Sequence, residues 1–101
     1  MYILTERDSG KQLMLGNGEV FFLALEENVS TGYHWVVDTS NLLVITLEED
    51  FPGRPNVMGA PGLKLYRFMA KQTGDSVLVI KDRAPSGAAG EKEIHFKVRV
   101  D

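Results

Sequence analysis

A chain of 101 residues, 44% apolar and 25% charged, has the composition of a globular domain with room for one hydrophobic core and not two. Its net charge of −3 comes from 14 acidic and 11 basic residues scattered among one another, without the clustered Lys and Arg that a nucleic-acid backbone demands. It has no cysteine, which removes disulfides, thiolate-bound zinc and a cysteine nucleophile, and no run near the ~20 apolar residues that span a bilayer.

The opening Met1-Tyr2-Ile3-Leu4-Thr5-Glu6-Arg7-Asp8 lacks the basic start and apolar stretch of a secretory signal. A signal removed beforehand would leave no trace, so periplasm and exterior stay open as compartments. Short strands are expected at residues 2–5 and 11–15, followed by the turn Gly16-Asn17-Gly18. Residues 19–25 are rich in Val, Phe and Leu, and residues 33–37 are aromatic and β-branched. Between them lies Asn28-Val29-Ser30-Thr31-Gly32-Tyr33, where Asn and Ser favour turns and Gly32 tolerates a positive φ. As plain turn chemistry, it would send Tyr33 and Trp35 into the core.

Residues 42–47 form the next expected strand. The segment Phe51-Pro52-Gly53-Arg54-Pro55-Asn56-Val57-Met58 then runs into Gly59-Ala60-Pro61-Gly62. So long an irregular stretch in a small domain is usually functional or mobile. Leu63, Leu65, Phe68 and Ala70 mark a strand with a change of phase near Tyr66, read as a bulge. Val77-Leu78-Val79-Ile80 reads as a central strand, apolar on both faces. Arg83-Ala84-Pro85 and the small-residue run Ser86-Gly87-Ala88-Ala89-Gly90 read as a loop with a flexible return. At the end, Ile94, Phe96, Val98 and Val100 alternate with Glu93, His95, Lys97 and Arg99, so one face is buried and the other wet.

The period is two almost everywhere, and no long segment carries a capped helical stripe. Seven or eight short strands in such a chain indicate an all-β, two-sheet sandwich. Enzyme chemistry finds no support. His34 and His95 have no partner at metal-ligand spacing. The acids Glu26-Glu27 and Glu48-Glu49-Asp50 are adjacent, and adjacent strand residues point apart. Neither a Gly-x-Ser-x-Gly elbow nor an HExxH motif is present. Asn28-Val29-Ser30 also spells a glycosylation acceptor, read as coincidence.

The three loops, in order, resemble the NPTTGY, GxGG and RPW loops of the chagasin family of cysteine-peptidase inhibitors. The resemblance runs from about Glu19 to the end of the chain. It implies an immunoglobulin-like antiparallel β-sandwich, with a single inhibitor domain over residues 1–101. With strands lettered from Glu19 as B, the loops join B to C, D to E and F to G, connections that emerge at one end of an antiparallel sandwich. By resemblance, the peptidase-binding residues are Asn28, Val29, Ser30, Thr31, Gly32 and Tyr33, then Gly59, Ala60, Pro61 and Gly62, then Arg83, Ala84 and Pro85. Thr31 and Gly32 would lie nearest the catalytic cysteine of a papain-like partner, and the second loop would run beside the cleft main chain to main chain.

Three departures bear on affinity. Val29 stands where the family has Pro, Pro61 replaces a glycine and removes one N–H donor, and the third loop lacks its Trp. Met58 and Leu63 flank the second loop as either contact or core residues. The function implied is reversible occlusion of a papain-like cysteine peptidase by a monomer, with no cofactor, nucleic acid or membrane involved. The alternative is an immunoglobulin-like module that binds protein or glycan without inhibiting.

Overall fold

The computed structural model describes residues 2–27, 32–38, 43–51 and 62–101. Among these the strands are β1 (Tyr2–Thr5), β2 (Gln12–Leu15), β3 (Val20–Glu27), β4 (His34–Asp38), β5 (Ile45–Phe51), β6 (Gly62–Ala70), β7 (Gly74–Arg83) and β8 (Ala89–Val100). They form two four-stranded sheets, β1-β3-β6-β5 and β2-β8-β7-β4. This is the expected all-β sandwich, with eight strands. Its pairing is mixed rather than wholly antiparallel, because β1 lies parallel to β3 and β2 parallel to β8.

The N-terminal segment serves both sheets. Between β1 and β2, one turn of 3-10 helix at Glu6–Asp8 carries the chain from the first sheet to the second. Its turn is held by the Asp8 carboxylate, which accepts the Thr5 N–H at 2.9 Å and meets Lys11 Nζ at 2.7 Å. The hydrogen bond from Lys11, and then that from Thr5, hold the Asp8 carboxyl below its ordinary value of 3.8.

The core is the space between the sheets. Phe21, Leu23, Leu25, Tyr66, Phe68 and Ala70 face inward from β3 and β6. Opposite them are Leu78 and Ile80 of β7, where Val77 turns outward instead of being covered on a second face, with Ile94, Phe96, Val98 and Val100 of β8, the last four buried in the alternation read from the sequence. Phe21 and Phe68 are register partners, and their rings stack with centroids 5.0 Å apart. An aromatic pair of this kind adds roughly 0.5–1.5 kcal/mol to what burial alone supplies.

Two expectations change. The strand containing Tyr66 keeps one phase: Gly62, Tyr66, Phe68 and Ala70 are buried, and Leu63 is on the outer face. The irregularity instead falls on β5, where the register with β6 shifts between Leu47 and Glu49. There the extra residue is absorbed by β5, so the β6 alternation passes through undisturbed. β5 also begins later than residue 42 and continues through Glu48, Glu49 and Asp50 to Phe51.

Candidate functional site

Register pairings place the three connections at one end of the sandwich. β3 ends at Glu27, whose partner on β6 is Gly62, so the first loop departs beside the point where the second returns. β4 begins at His34, whose partner on β7 is Arg83, so the first loop returns beside the point where the third departs. The first loop therefore bridges the two sheets, with one flanking connection on each side. Of the sequence-derived site residues, Gly32, Tyr33, Gly62, Arg83, Ala84 and Pro85 fall among those described. Asn28, Val29, Ser30, Thr31, Gly59, Ala60 and Pro61 lie outside the described residues, as does Met58.

The neck of the first loop is closed by Trp35. Its main-chain N–H donates to Glu27 Oε2 at 2.9 Å, and its indole Nε1 donates to the Glu26 carbonyl at 2.8 Å. Its own carbonyl accepts the Tyr66 hydroxyl at 3.0 Å. All three partners belong to the other sheet. A Trp that is 4% exposed needs a partner for its indole N–H, and the last residues of β3 provide one. The adjacent acids at 26 and 27 are thus part of the loop's frame: one supplies a main-chain carbonyl, the other a carboxylate.

Tyr33 corrects the core reading of the motif. It is 43% exposed while Trp35 is buried, so only the second of the two aromatics faces inward. His34 is exposed too, which leaves residues 32–34 together on the surface of this end. Leu63 resolves the other ambiguity, being 52% exposed one residue beyond the second loop. Beside it a cleft of about 510 Å³ opens on the flank of this end, with Ala24, Arg7 and Lys92 among its lining residues. Gly62, in contrast, is buried as the first residue of β6.

The third loop is a tight hairpin turn rather than a flexible return. Gly87 N–H donates to the Ala84 carbonyl at 2.8 Å, and Ala84 N–H to the Ala88 carbonyl at 3.0 Å. Pro85 occupies the second position of the turn and Gly87, at φ +86°, the last, the places where such a turn favours these residue types. Arg83, half-buried, stands at its base. The first and third loops also touch. Gly32 has φ +76°, and a β-carbon there would stand 2.5 Å from Pro85 Cγ.

Sequence reasoning located the loops and missed their frame. Glu27 was legible only as one of two adjacent acids, and nothing local signals that its carboxylate turns to Trp35. The buried Trp itself was the available clue, since its N–H must be satisfied somewhere near.

A family model described as chagasin family peptidase inhibitor I42 matches residues 14–100. Amoebiasin-1 of Entamoeba histolytica is 29% identical over 102 residues, covering 96% of this chain and 97% of that protein. Among solved structures, the cysteine protease inhibitor EhICP2 of Entamoeba histolytica superposes with a TM-score of 0.82 at 20% identity, covering 99% of this chain and 95% of the other. The solution structure of Amebosin gives a TM-score of 0.77 at 29% identity over 99% and 97% of the two chains. PbICP-C, solved in complex with falcipain-2, gives 0.68 at 19% identity over the whole of both chains. The likenesses to EhICP2 and PbICP-C are of fold.

Proposed function

Because the chain belongs to the chagasin family of peptidase inhibitors, a family of inhibitors and not of enzymes, we propose that it is a reversible inhibitor of papain-like cysteine peptidases. It acts as a monomer and a single domain, by occlusion without chemistry. The first loop enters the active-site cleft, with Thr31 and Gly32 nearest the catalytic cysteine, and blocks the Cys–His pair. The second loop lies along one side of the cleft and the third along the other. The observation that carries this reading is the pairing of Glu27 with Gly62 and of His34 with Arg83, which sets the bases of the three connections side by side.

Pre-ordering supports it further. Loops already fixed in their bound shape lose less entropy on docking. The neck bonds of Trp35 and the closed turn after Arg83 supply that order from the scaffold. The third loop has no Trp, so the exposed aromatic of this surface is Tyr33, with Leu63 as its apolar companion on the second-loop side. Aromatic and Arg side chains concentrate interface energy, which makes Tyr33 the anchor of the first loop and Arg83 that of the third.

The test is titration of papain and of a cathepsin-L-like enzyme with the purified protein. Competitive inhibition at nanomolar to micromolar concentration is expected, with the inhibitor intact after long incubation. No inhibition across such a panel at high micromolar concentration would instead favour a module that keeps the sandwich and binds protein or glycan. The missing Trp is the observation on that side.

A further inference from the structure

Pro85 is exposed at the apex of a surface turn, yet its ring is aimed at the first loop. A β-carbon on Gly32 would meet Pro85 Cγ at 2.5 Å, Cβ at 3.5 Å and Cδ at 3.6 Å. The first of these distances is closer than any side chain tolerates, and a pyrrolidine ring cannot swing aside as a flexible side chain does. The Gly32 main chain therefore lies against the ring with no space between them. Gly32 meets two demands at once, a φ of +76° and the absence of a side chain on the face turned to Pro85.

The other partner in this contact is equally constrained. Pro85 has its φ set by its own ring and sits in a turn closed by the bonds Gly87 N–H to Ala84 O and Ala84 N–H to Ala88 O. The turn stands on Arg83, which is paired with His34, the residue two beyond Gly32. The short path from Gly32 through β4 and β7 to Pro85 is thus ordered along its length, and the ring closes it into a circuit.

Resting on the inhibitory reading above, we infer that Pro85 is a positioning residue: its ring seats Gly32 and fixes the main chain there, where the first loop returns to β4, for docking in the peptidase cleft. In this chain the third loop acts through the first, in addition to any contact of Arg83 with the partner. The sequence pattern fits this division of labour. With Val29 in the first loop, no proline ring stiffens that loop from within, and Pro85 stiffens it from outside.

The experiment compares the parent with Gly32→Ala, Pro85→Ala and the double variant, measuring thermal melts together with association and dissociation rates on papain. A loop that is less often in its binding-competent shape slows association by the lost fraction and leaves dissociation unchanged. Pro85→Ala is expected to melt close to the parent, keep the Ala84 and Gly87 amides protected from exchange, and associate about three- to tenfold more slowly. Gly32→Ala is expected to lose both melting temperature and inhibition. Removing Cγ and Cδ in the double variant leaves only an ordinary 3.5 Å contact, so Pro85→Ala should recover part of the stability that Gly32→Ala loses.

Normal association by Pro85→Ala, with additive melts across the cycle, would overturn the positioning role while the inhibitory function stood. So would a Pro85→Ala defect confined to faster dissociation, which marks direct contact with the peptidase. A parent that does not inhibit at all overturns the function and this inference with it.

Discussion

The Tyr66 hydroxyl of β6 donates to the Trp35 carbonyl of β4 at 3.0 Å, a buried bond from one sheet to the other at the end that carries the loops. With the Trp35 N–H held by Glu27 and its indole by Glu26, both main-chain polar groups and the ring of one residue are tied to the opposite sheet. The loop end of the sandwich is therefore joined by polar bonds as well as by apolar packing. Tyr66→Phe keeps the ring and removes the donor, leaving the Trp35 carbonyl without this partner. A loss of about 1–3 kcal/mol in folding stability is expected from urea denaturation. A variant as stable as the parent would mean that the bond has no weight in the fold.

Glu27 frames the loop more than it supports the core. Glu27→Ala should cost about 1.5–3 kcal/mol, the worth of a hydrogen bond to a charged group. Glu27→Gln retains an acceptor oxygen and should lose less. Hydrogen exchange at the Trp35 amide reads the bond directly: faster exchange is expected in Glu27→Ala, with weaker inhibition alongside. Unchanged protection at Trp35 would remove Glu27 from the frame.

Arg83→Ala should separate binding from folding. Arg83 is half-buried at the base of a surface turn, and its truncation should shift stability by under ~0.5 kcal/mol. Loss of an Arg anchor should cost at least ~1 kcal/mol of binding, read as a fivefold or greater rise in the inhibition constant. Phe96→Ala is the contrasting case, since Phe96 is wholly buried and its removal should cost about 3–5 kcal/mol. Equal melting temperatures for these two variants would contradict the assigned faces.

Thr31→Ala is the cleaner probe of the first loop. It should weaken inhibition without moving the melting temperature, because it deletes a hydroxyl and a methyl and adds no volume. Gly32→Trp should abolish inhibition too, but at φ +76° and against Pro85 it also strains the chain by at least ~1–2 kcal/mol. The melt accompanying each assay tells the two effects apart. Normal folding and full inhibition by both variants would show that this loop is not the wedge.

The turn between β1 and β2 has a pH signature. The Asp8 carboxyl is held below 3.8 in the folded chain, chiefly by Lys11, so it binds its proton less readily there than when unfolded. Its contribution is complete above the unfolded value and is lost as pH falls through the folded one. Acid titration by NMR should show the Thr5 amide shifting with a midpoint below 3.8, and Asp8→Asn should remove that transition. A Thr5 shift retained in Asp8→Asn would assign it to another carboxylate.

Alternation of Ile94, Phe96, Val98 and Val100 determined an inward and an outward face by itself, because strand geometry leaves side chains only two directions. The same local rule, with turn chemistry between the runs, was enough for an all-β sandwich and for the order of its three loops. It was not enough where the decisive partner is distant in sequence. Tyr33 and Trp35 read alike as aromatics, yet only Trp35 finds the Glu26 carbonyl and is buried. Leu63 belonged to the apolar pattern of its strand, but β6 turns it outward once Tyr66 and Phe68 take the core. The parallel pairing of β1 with β3 and of β2 with β8, the turn of the Glu27 carboxylate to Trp35, and the seating of Gly32 on Pro85 are all contacts between separate segments. Periodicity is a property of neighbours along the chain. Only folding brings together groups whose hydrogen bonds and excluded volume then choose among the orientations that periodicity allows.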